Sequence, residues 1–426
     1  MRIERLLLFF LCIVTILSAG CPKPAPSPAL PDASPQTAKK AATAPAADQP
    51  PFYRILKEGN ARNIARKLSP DSQGIHSWTE YRSALEDNLG YILRKRSNSV
   101  CVRRPGLTLT WGQLGDSVAE LMAILPRLDE QPGLLAERFS WLKVSPETLL
   151  TGYYEPWLDA SLTPDATYRY PLYGVPDDLR VVDLGKFHSR WKGERLVYRM
   201  DGKKIEPYPD RRAIDGHEAI SGKGYEIAWA KDPVDVFFLQ IQGSGRLVLP
   251  DGTSRHILYN GRNGRRYVSL GRVLIKKGLV PRDEMSMQRI RKFLSANPEE
   301  ARQLMFENPS YVFFRLSDKG PFGAINVMLK PWVSVAVDPS MIPLGGACVL
   351  STSLGDVDTG KPKSFRSLVL AQDTGGAIQG TRMDLFCGSS PEAEKLAGHL
   401  QEPSDVYLLV SRQTMASVKK SGQLGG

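Results

Sequence analysis

Cysteine and histidine are scarce, with five of each in 426 residues, and their placement excludes several chemistries. Cys12 and Cys21 lie near the start, leaving Cys101, Cys348 and Cys387 in the body. An odd number permits at most one disulfide and leaves at least one free thiol. There is no C-x-x-C pair, no close pairing of His with Cys and no H-E-x-x-H. His76, His188, His217, His256 and His399 are scattered, so a structural zinc site or a zinc protease is not expected. Beyond the first twenty residues no apolar run is long enough to span a membrane. The glycines of Gly243-Ser244-Gly245 lack the rest of a dinucleotide fingerprint. Neither a metal nor any other cofactor is therefore expected.

The start of the chain has a transport pattern. Arg2 and Arg5 precede the apolar run Leu6 to Leu17, which ends in Ser18-Ala19-Gly20-Cys21. A charged segment, a short apolar segment and small residues before a cleavage point make a secretory signal, residues 1–20. Small residues ending at a cysteine are similar to a bacterial lipobox, which would make Cys21 a lipidated N-terminus. The alternative is an ordinary signal with an incidental cysteine. A lipid anchor holds a protein on a membrane without spanning it. Residues 21–51 are dominated by Pro, Ala, Ser and Lys and bury too little surface to fold, so they read as an extended tether. A periplasmic body on such a tether has the cell wall as its nearest polymer.

About 375 residues remain, enough for two domains. Plentiful Gly and Pro and many short apolar runs favour β-rich architecture. Residues 52–142 read as mainly helical, with Leu85, Leu89, Ile92 and Leu93 on one helical face and Leu114, Val118, Leu121 and Leu125 on another. Thr110-Trp111-Gly112 opens the second of these helices. The character changes at Leu149 to Trp157, an aromatic strand-like run broken by Pro156. From there to about Leu316 the pattern predicts mostly strand, including Asp235 to Gly252 with a turn at Asp251-Gly252. Helices are expected at Ser269–Lys277, Ser286–Leu294 and Pro298–Glu307. From about Val327 to Leu409 short strands return. The formal net charge of +11 suits an anionic partner such as membrane lipid or an acidic wall polymer, or reflects a generally basic surface. Secretion argues against nucleic acid.

Three aspartates carry the chemical pattern. Asp373 precedes Thr374-Gly375-Gly376, Asp384 lies in Arg382-Met383-Asp384-Leu385-Phe386, and Asp338 precedes Pro339. Acids held on short strands by glycine turns suit proton transfer to a leaving oxygen, as in glycosidic bond cleavage. Strand alternation puts Met383 and Leu385 on one face and Arg382, Asp384 and Phe386 on the other. Asp384 thus projects beside an aromatic. An adjacent cation would lower its pKa, so Arg382 is expected to point elsewhere. Asp373 suits a turn-bonding role, or it orients Asp384 or keeps its pKa high. Asp338 reads as structural. Thr151, Gly152, Tyr153, Gln242, Gly243 and Ser244 could hold a glycan, through hydroxyl and amide hydrogen bonds, stacking and close backbone approach. Each also has a plain structural role available.

Ordered motifs over most of the body resemble one family. They are Thr151-Gly152-Tyr153-Tyr154-Glu155-Pro156, Tyr170-Pro171-Leu172-Tyr173, Gln242-Gly243-Ser244-Gly245 and Tyr259-Asn260-Gly261-Arg262-Asn263-Gly264. Tyr267-Val268-Ser269-Leu270-Gly271, Met285-Ser286-Met287-Gln288 and Asn308-Pro309-Ser310-Tyr311-Val312-Phe313-Phe314 follow, and then the three aspartates. The chain resembles the membrane-bound lytic murein transglycosylase A family. The resemblance implies a mainly β fold with some helices. A double-psi β-barrel domain would come from residues 52–155 and 317–426, the latter a three-aspartate (3D) domain. A second, β-barrel-like domain, 156–316, would be inserted between them, with the substrate groove between the two. It also implies a lyase that cleaves the β-1,4 bond from N-acetylmuramic acid to N-acetylglucosamine and leaves a 1,6-anhydro end. Asp384 would be its acid/base, with Asp373 assisting. The implied partner is peptidoglycan glycan strands. The implied place is the periplasmic face of the outer membrane, with cell-wall synthesis or division proteins as candidate associates. The rivals are a non-catalytic wall-binding lipoprotein and a true glycoside hydrolase with two working carboxylates.

Overall fold

In the computed structural model, which describes residues 52–191, 193–355 and 362–420, the chain first wraps helices against a sheet that forms later. The leader, Cys21 and the tether lie outside the described residues. Strand β1 (Tyr53–Ile55) is followed by helices α1 (Glu58–Ala65) and α2 (Arg82–Leu93), the hairpin β2 (Val100–Arg104) and β3 (Leu107–Thr110), and helices α3 (Trp111–Leu128) and α4 (Leu134–Arg138). The helical spacing expected over 85–93 and 114–125 buries Leu85 and Ile92 on α2 and Leu114, Val118, Leu121 and Leu125 on α3, with Leu89 partly buried, whereas Leu93 at the end of α2 points to solvent. Thr110 caps α3 through a reciprocal pair: its hydroxyl accepts from the Gln113 amide, and the Gln113 side chain accepts from its own.

Strands β4 (Phe139–Val144) and β5 (Thr148–Tyr153) lead to a long excursion. It comprises β6 (Trp157–Ser161), β7 (Tyr170–Tyr173), β8 (Arg180–Asp183), β9 (Arg195–Asp201), β10 (Lys204–Pro207) and β11 (Glu226–Ala230). Helix α5 (Pro233–Gln242), β12 (Ser244–Val248) and β13 (Ser254–Arg262) follow. Helices α6 (Leu270–Lys276), α7 (Met287–Ala296) and α8 (Pro298–Phe306) precede the closing strand β14 (Val312–Ser317). The chain ends with β15 (Ser334–Ala336), β16 (Ala347–Gly355), β17 (Pro362–Asp373), β18 (Met383–Phe386), helix α9 (Pro391–His399), β19 (Gln401–Ser411) and helix α10 (Arg412–Lys420).

Two expectations are corrected here. Residues 235–242 form helix α5, not strand. Asp232 caps it through the Val234 amide, Pro233 opens it, and Gly243 closes it at φ 85°. Its apolar run is continuous because both sides are covered. Val236 and Leu239 face the sheet core, while Val234, Phe237 and Phe238 pack with α6, α7 and α8. A run buried all round has no helical stripe to read. Helix α9 interrupts a stretch expected to hold only strands, although Ser390 as cap and Pro391 at the first turn were visible start signals.

Strands β19, β16, β17, β15, β18 and β5 hydrogen-bond in that order, and β5 pairs back to β19, closing a six-stranded barrel. The closure depends on the length of β19, which pairs with β5 at Gln401–Ser404 and with β16 and β4 further on. Inside lie Leu150, Val335, Leu350, Val369, Met383, Leu385 and Leu408, all fully buried. The excursion's main sheet runs β14-β13-β12-β6-β11-β7, and β8, β9 and β10 form a separate three-stranded sheet. Residues 154–156 carry the chain out of the barrel, and they are fastened. The Glu155 carboxylate, 1% exposed, meets His256 Nδ1 of β13 at 2.6 Å, and Arg246 Nη2 of β12 lies 3.1 Å from His256 Nε2 and 3.8 Å from Glu155. Among the described residues no helix is long and apolar enough to cross a membrane.

Candidate functional site

The barrel strand β18 sends Met383 and Leu385 into the core and Asp384 the other way, as alternation requires. Asp384 stands between Ala336 of β15 and Thr151 of β5 in the ladder. The Thr151 hydroxyl donates to Asp384 Oδ1 at 2.6 Å. Arg382 does not point elsewhere: its Nε and Nη2 donate to the same Thr151 oxygen at 3.4 and 3.3 Å. Strand geometry puts residues 382 and 384 on one face, and Thr151 supplies an acceptor between them. Burial pushes the Asp384 carboxyl up, the Thr151 hydrogen bond and the Arg382 charge pull it back, and the net shift is upward.

Asp373 closes β17, where Gln372 is locked beneath it. The Gln372 side chain accepts from Ser334 at 2.6 Å and donates to Asn88 at 2.7 Å. Asp373 Oδ1 accepts the amides of Thr374 at 2.8 Å and Ala324 at 3.0 Å, while Oδ2 accepts the Tyr153 hydroxyl at 2.9 Å. Burial raises its pKa against those three donors, and the nearby Asp384 charge adds to the rise, taking it to about 6. Asp338 differs. Burial works to raise it, but hydrogen bonds from Ser340 and from the Gly380 amide, with the charge of Arg104, outweigh burial and hold it below the usual carboxylate range. Its bonds to the Ser340 amide at 2.9 Å and the Gly380 amide at 2.8 Å tie down the loop before β18.

All three aspartates line one groove of about 2070 Å³, together with Thr151, Gly152, Tyr153, Gln242, Gly243 and Ser244. The structure therefore brings together every body residue singled out from the sequence, and it shows what some of them do for the fold. Gly152 lies where a Cβ would stand 2.9 Å from the Ala397 Cα and 3.0 Å from Cys387 Sγ, so its bareness admits helix α9. Gly243 ends α5 in a left-handed conformation. Gln242 accepts the Tyr154 amide at 3.2 Å and thereby ties α5 to the end of β5. The Tyr153 ring packs on Phe386, with centroids 5.3 Å apart, and its hydroxyl serves Asp373.

Sequence reasoning missed the Ala324 amide, since a backbone donor leaves no side-chain signal. It also missed Tyr267, which lines the groove near enough to Arg382 for that charge to act on its phenol. Its motif was visible and its place in the fold was not. Cys101, Cys348 and Cys387 are free thiols. Among the described residues no cluster of His, Cys, Asp and Glu could hold a metal. The arrangement offers two acids held above the usual carboxylate range, one with a single fixed hydroxyl donor and one committed to three donors, beside a long open surface.

Comparison with known proteins gives consistent neighbours. Residues 149–315 match the model of the MltA specific insert domain, and residues 333–410 match that of the 3D domain. A membrane-bound lytic murein transglycosylase A from Vibrio cholerae is 33% identical over 265 residues, 61% of this chain and 65% of that protein. The protein of the same name from Escherichia coli is 35% identical over 264 residues, 61% of this chain and 64% of its own length. The chain thus spans just under two thirds of these curated relatives. The crystal structure of a membrane-bound lytic murein transglycosylase from Agrobacterium tumefaciens superimposes with a TM-score of 0.68 at 34% identity, covering 80% of this chain and 96% of that one. Escherichia coli MltA with bound chitohexaose gives 0.58 at 26% identity, covering 78% and 90%.

Proposed function

Because this chain belongs to the membrane-bound lytic murein transglycosylase A family, we propose that it cleaves the β-1,4 bond between N-acetylmuramic acid and N-acetylglucosamine in peptidoglycan, leaving a 1,6-anhydro end. The observation that carries this reading is Asp384: a carboxyl of raised pKa with one fixed donor, on a groove about twice the size of the largest usual small-molecule pockets. A polymer strand suits such a groove.

In this reading Asp384 acts twice. Protonated, it gives its proton to the glycosidic oxygen as the bond from the muramic C1 breaks. The muramic C6 hydroxyl forms the new bond to C1, and its proton passes to the Asp384 carboxylate, which restores the starting acid. No water enters the product. Thr151 helps to place the proton. Arg382 occupies the acceptor side of the Thr151 oxygen, so the hydroxyl hydrogen is free to donate. Asp384 Oδ1 at 2.6 Å is a better acceptor for it than the Met383 carbonyl at 3.4 Å. With Oδ1 engaged, the acidic proton sits on Oδ2. Asp373, held by its three donors, lies near enough to Asp384 for their charges to interact, so ionisation of either favours the protonated form of the other.

The same reading makes the six-stranded ring a double-psi barrel, supported by its parallel β15–β17 and β5–β18 pairs. It makes residues 156–316 an insertion, supported by the sheet memberships on either side. It also places the protein at the periplasmic face of the outer membrane through a lipid on Cys21. Supporting this are the leader pattern and the word membrane-bound in its relatives' names. The test is to incubate a soluble form starting after Cys21 with purified peptidoglycan and weigh the products. Muropeptides lighter by one water than hydrolysis products are the expected result. Reducing-end muropeptides would make the protein a hydrolase, and bound but uncut glycan would make it a wall-binding lipoprotein.

A further inference from the structure

One wall of the groove carries positive charge that proton transfer does not use. Arg262 ends β13 and Arg195 begins β9, and both line the groove with Tyr259, whose side is half exposed. Plain alternation would send Tyr259 and Arg262 to opposite faces of β13. The ladder with β14 slips between Tyr259 and Gly261. The extra residue, Asn260, turns both side chains onto the groove side, as bulges beside functional sites do.

Arg195 reaches the same place from the three-stranded sheet, and both cations act on the Tyr259 phenol. Arg262 also extends toward the turn after Asp373: a Cβ on Gly376 would stand 3.7 Å from its Nη1.

Among the described residues no carboxylate forms an ion pair with either arginine. The groove's own acids are engaged or apart. Asp338, Asp373 and Asp384 accept hydrogen bonds from protein donors, and Glu194, beside Arg195 in the chain, makes no ion pair among the described residues. Two guanidinium forks and a phenol hydroxyl on one wall match a carboxylate, which arginine binds through two parallel N–H bonds. A chain of N-acetylglucosamine offers only neutral groups. Murein adds a lactyl side chain on every second sugar, which ends in a carboxylate when bare and bears an acidic peptide when substituted.

We propose that Arg195, Arg262 and Tyr259 form a carboxylate subsite of the groove, which takes the acidic groups carried on the lactyl arm of murein. The inference rests on the glycan-strand reading above and specifies which part of the substrate the groove recognises beyond its sugars. It gives the basic composition of the chain a specific use at this wall.

The test is calorimetric binding to an Asp384→Asn form, in which cleavage does not consume the ligand. Three probes are compared: chitohexaose, which has no carboxylate; a peptide-free alternating murein oligomer, which has lactyl carboxylates; and the same oligomer with its peptides. The paired change Arg195→Gln and Arg262→Gln should leave chitohexaose binding unchanged and weaken a carboxylate-bearing probe by about tenfold or more. Weakening of the peptide-bearing probe alone assigns the carboxylate to the peptide, and weakening of the peptide-free probe alone assigns it to the bare lactyl group. Weakening of both charged probes shows that the subsite takes either, since a substituted lactyl group is an amide. Equal weakening of all three probes, or of none, overturns the subsite. Arg262→Lys, which keeps the charge and loses the fork, should give a partial loss and guards against a paired variant that fails to fold. Failure of chitohexaose to bind the Asp384→Asn form at all would refute the groove as a glycan site, and the subsite with it.

Discussion

Replacing Arg382 with Gln should raise the pKa of Asp384 and extend activity to higher pH. The guanidinium and the carboxyl meet at opposite sides of the Thr151 oxygen, at 3.3 and 2.6 Å, so the charge lies within about 6 Å of Asp384 Oδ1. At that distance a unit charge is worth about 3 kcal/mol at an effective dielectric of 20, and about 0.7 kcal/mol with water-like screening. Arg382 is partly exposed, so the effect falls between these limits, or about 0.5 to 2 pKa units. The sign follows from the chemistry. A general acid must be protonated to act, so the alkaline limb of kcat/KM marks its ionisation and moves up with its pKa. The assay is the initial rate of muropeptide release across a pH series at constant ionic strength. Arg382→Lys, which retains the charge, should keep the limb near its original position. A limb that stays put in Arg382→Gln, or moves to lower pH, would refute the electrostatic coupling. Equal displacement in the Lys variant would show that the fork, not the charge, matters.

Asp384→Asn should cut the cleavage rate by at least about 10²–10⁴ while circular dichroism and the melting temperature show an intact fold; a fully active variant would remove Asp384 from the mechanism. Asp373, raised to about 6 in the folded protein, favours folding below its unfolded pKa near 3.9 and loses that contribution as pH rises through about 6. Asp373→Asn should therefore gain stability relative to the parent between pH 4 and 7, by roughly 1–3 kcal/mol, and a difference that does not vary with pH would contradict the shift. Gly152→Ala should destabilise the protein by about 1–3 kcal/mol in denaturant titration, because the new methyl meets the α9 backbone at 2.9 Å; an unchanged midpoint would mean that α9 yields freely. Cys21→Ser should move the full-length protein from the membrane to the soluble fraction of cells, and continued membrane retention would rule out a lipid on Cys21.

Local signals recovered local structure. The Thr110 cap, the apolar faces of α2 and α3 and the Asp251-Gly252 turn were legible because each depends on residues a few positions apart. The direction of Asp384 was legible for the same reason, since a strand's side chains alternate whatever the strand pairs with. Helix α5 was not, because its cover on both sides comes from β-sheet and helices distant in the chain. Family resemblance named the fold and the three aspartates from ordered motifs.

What the sequence determined alone was the set of chemical groups: three acids on strands and turns, a run of motifs that names a family, and a surplus of positive charge. Which acid can hold a proton was decided only by the tertiary structure. A carboxyl's pKa is set by burial and by neighbours in space, and the donor to Asp384 lies 233 positions away on another strand. Asp338 and Asp373 are alike as letters, yet one is held below and the other above the usual range because folding surrounds them differently. The same holds for Arg195 and Arg262, which share a wall only because a bulge in one strand and the start of the central strand of a separate sheet bring them there.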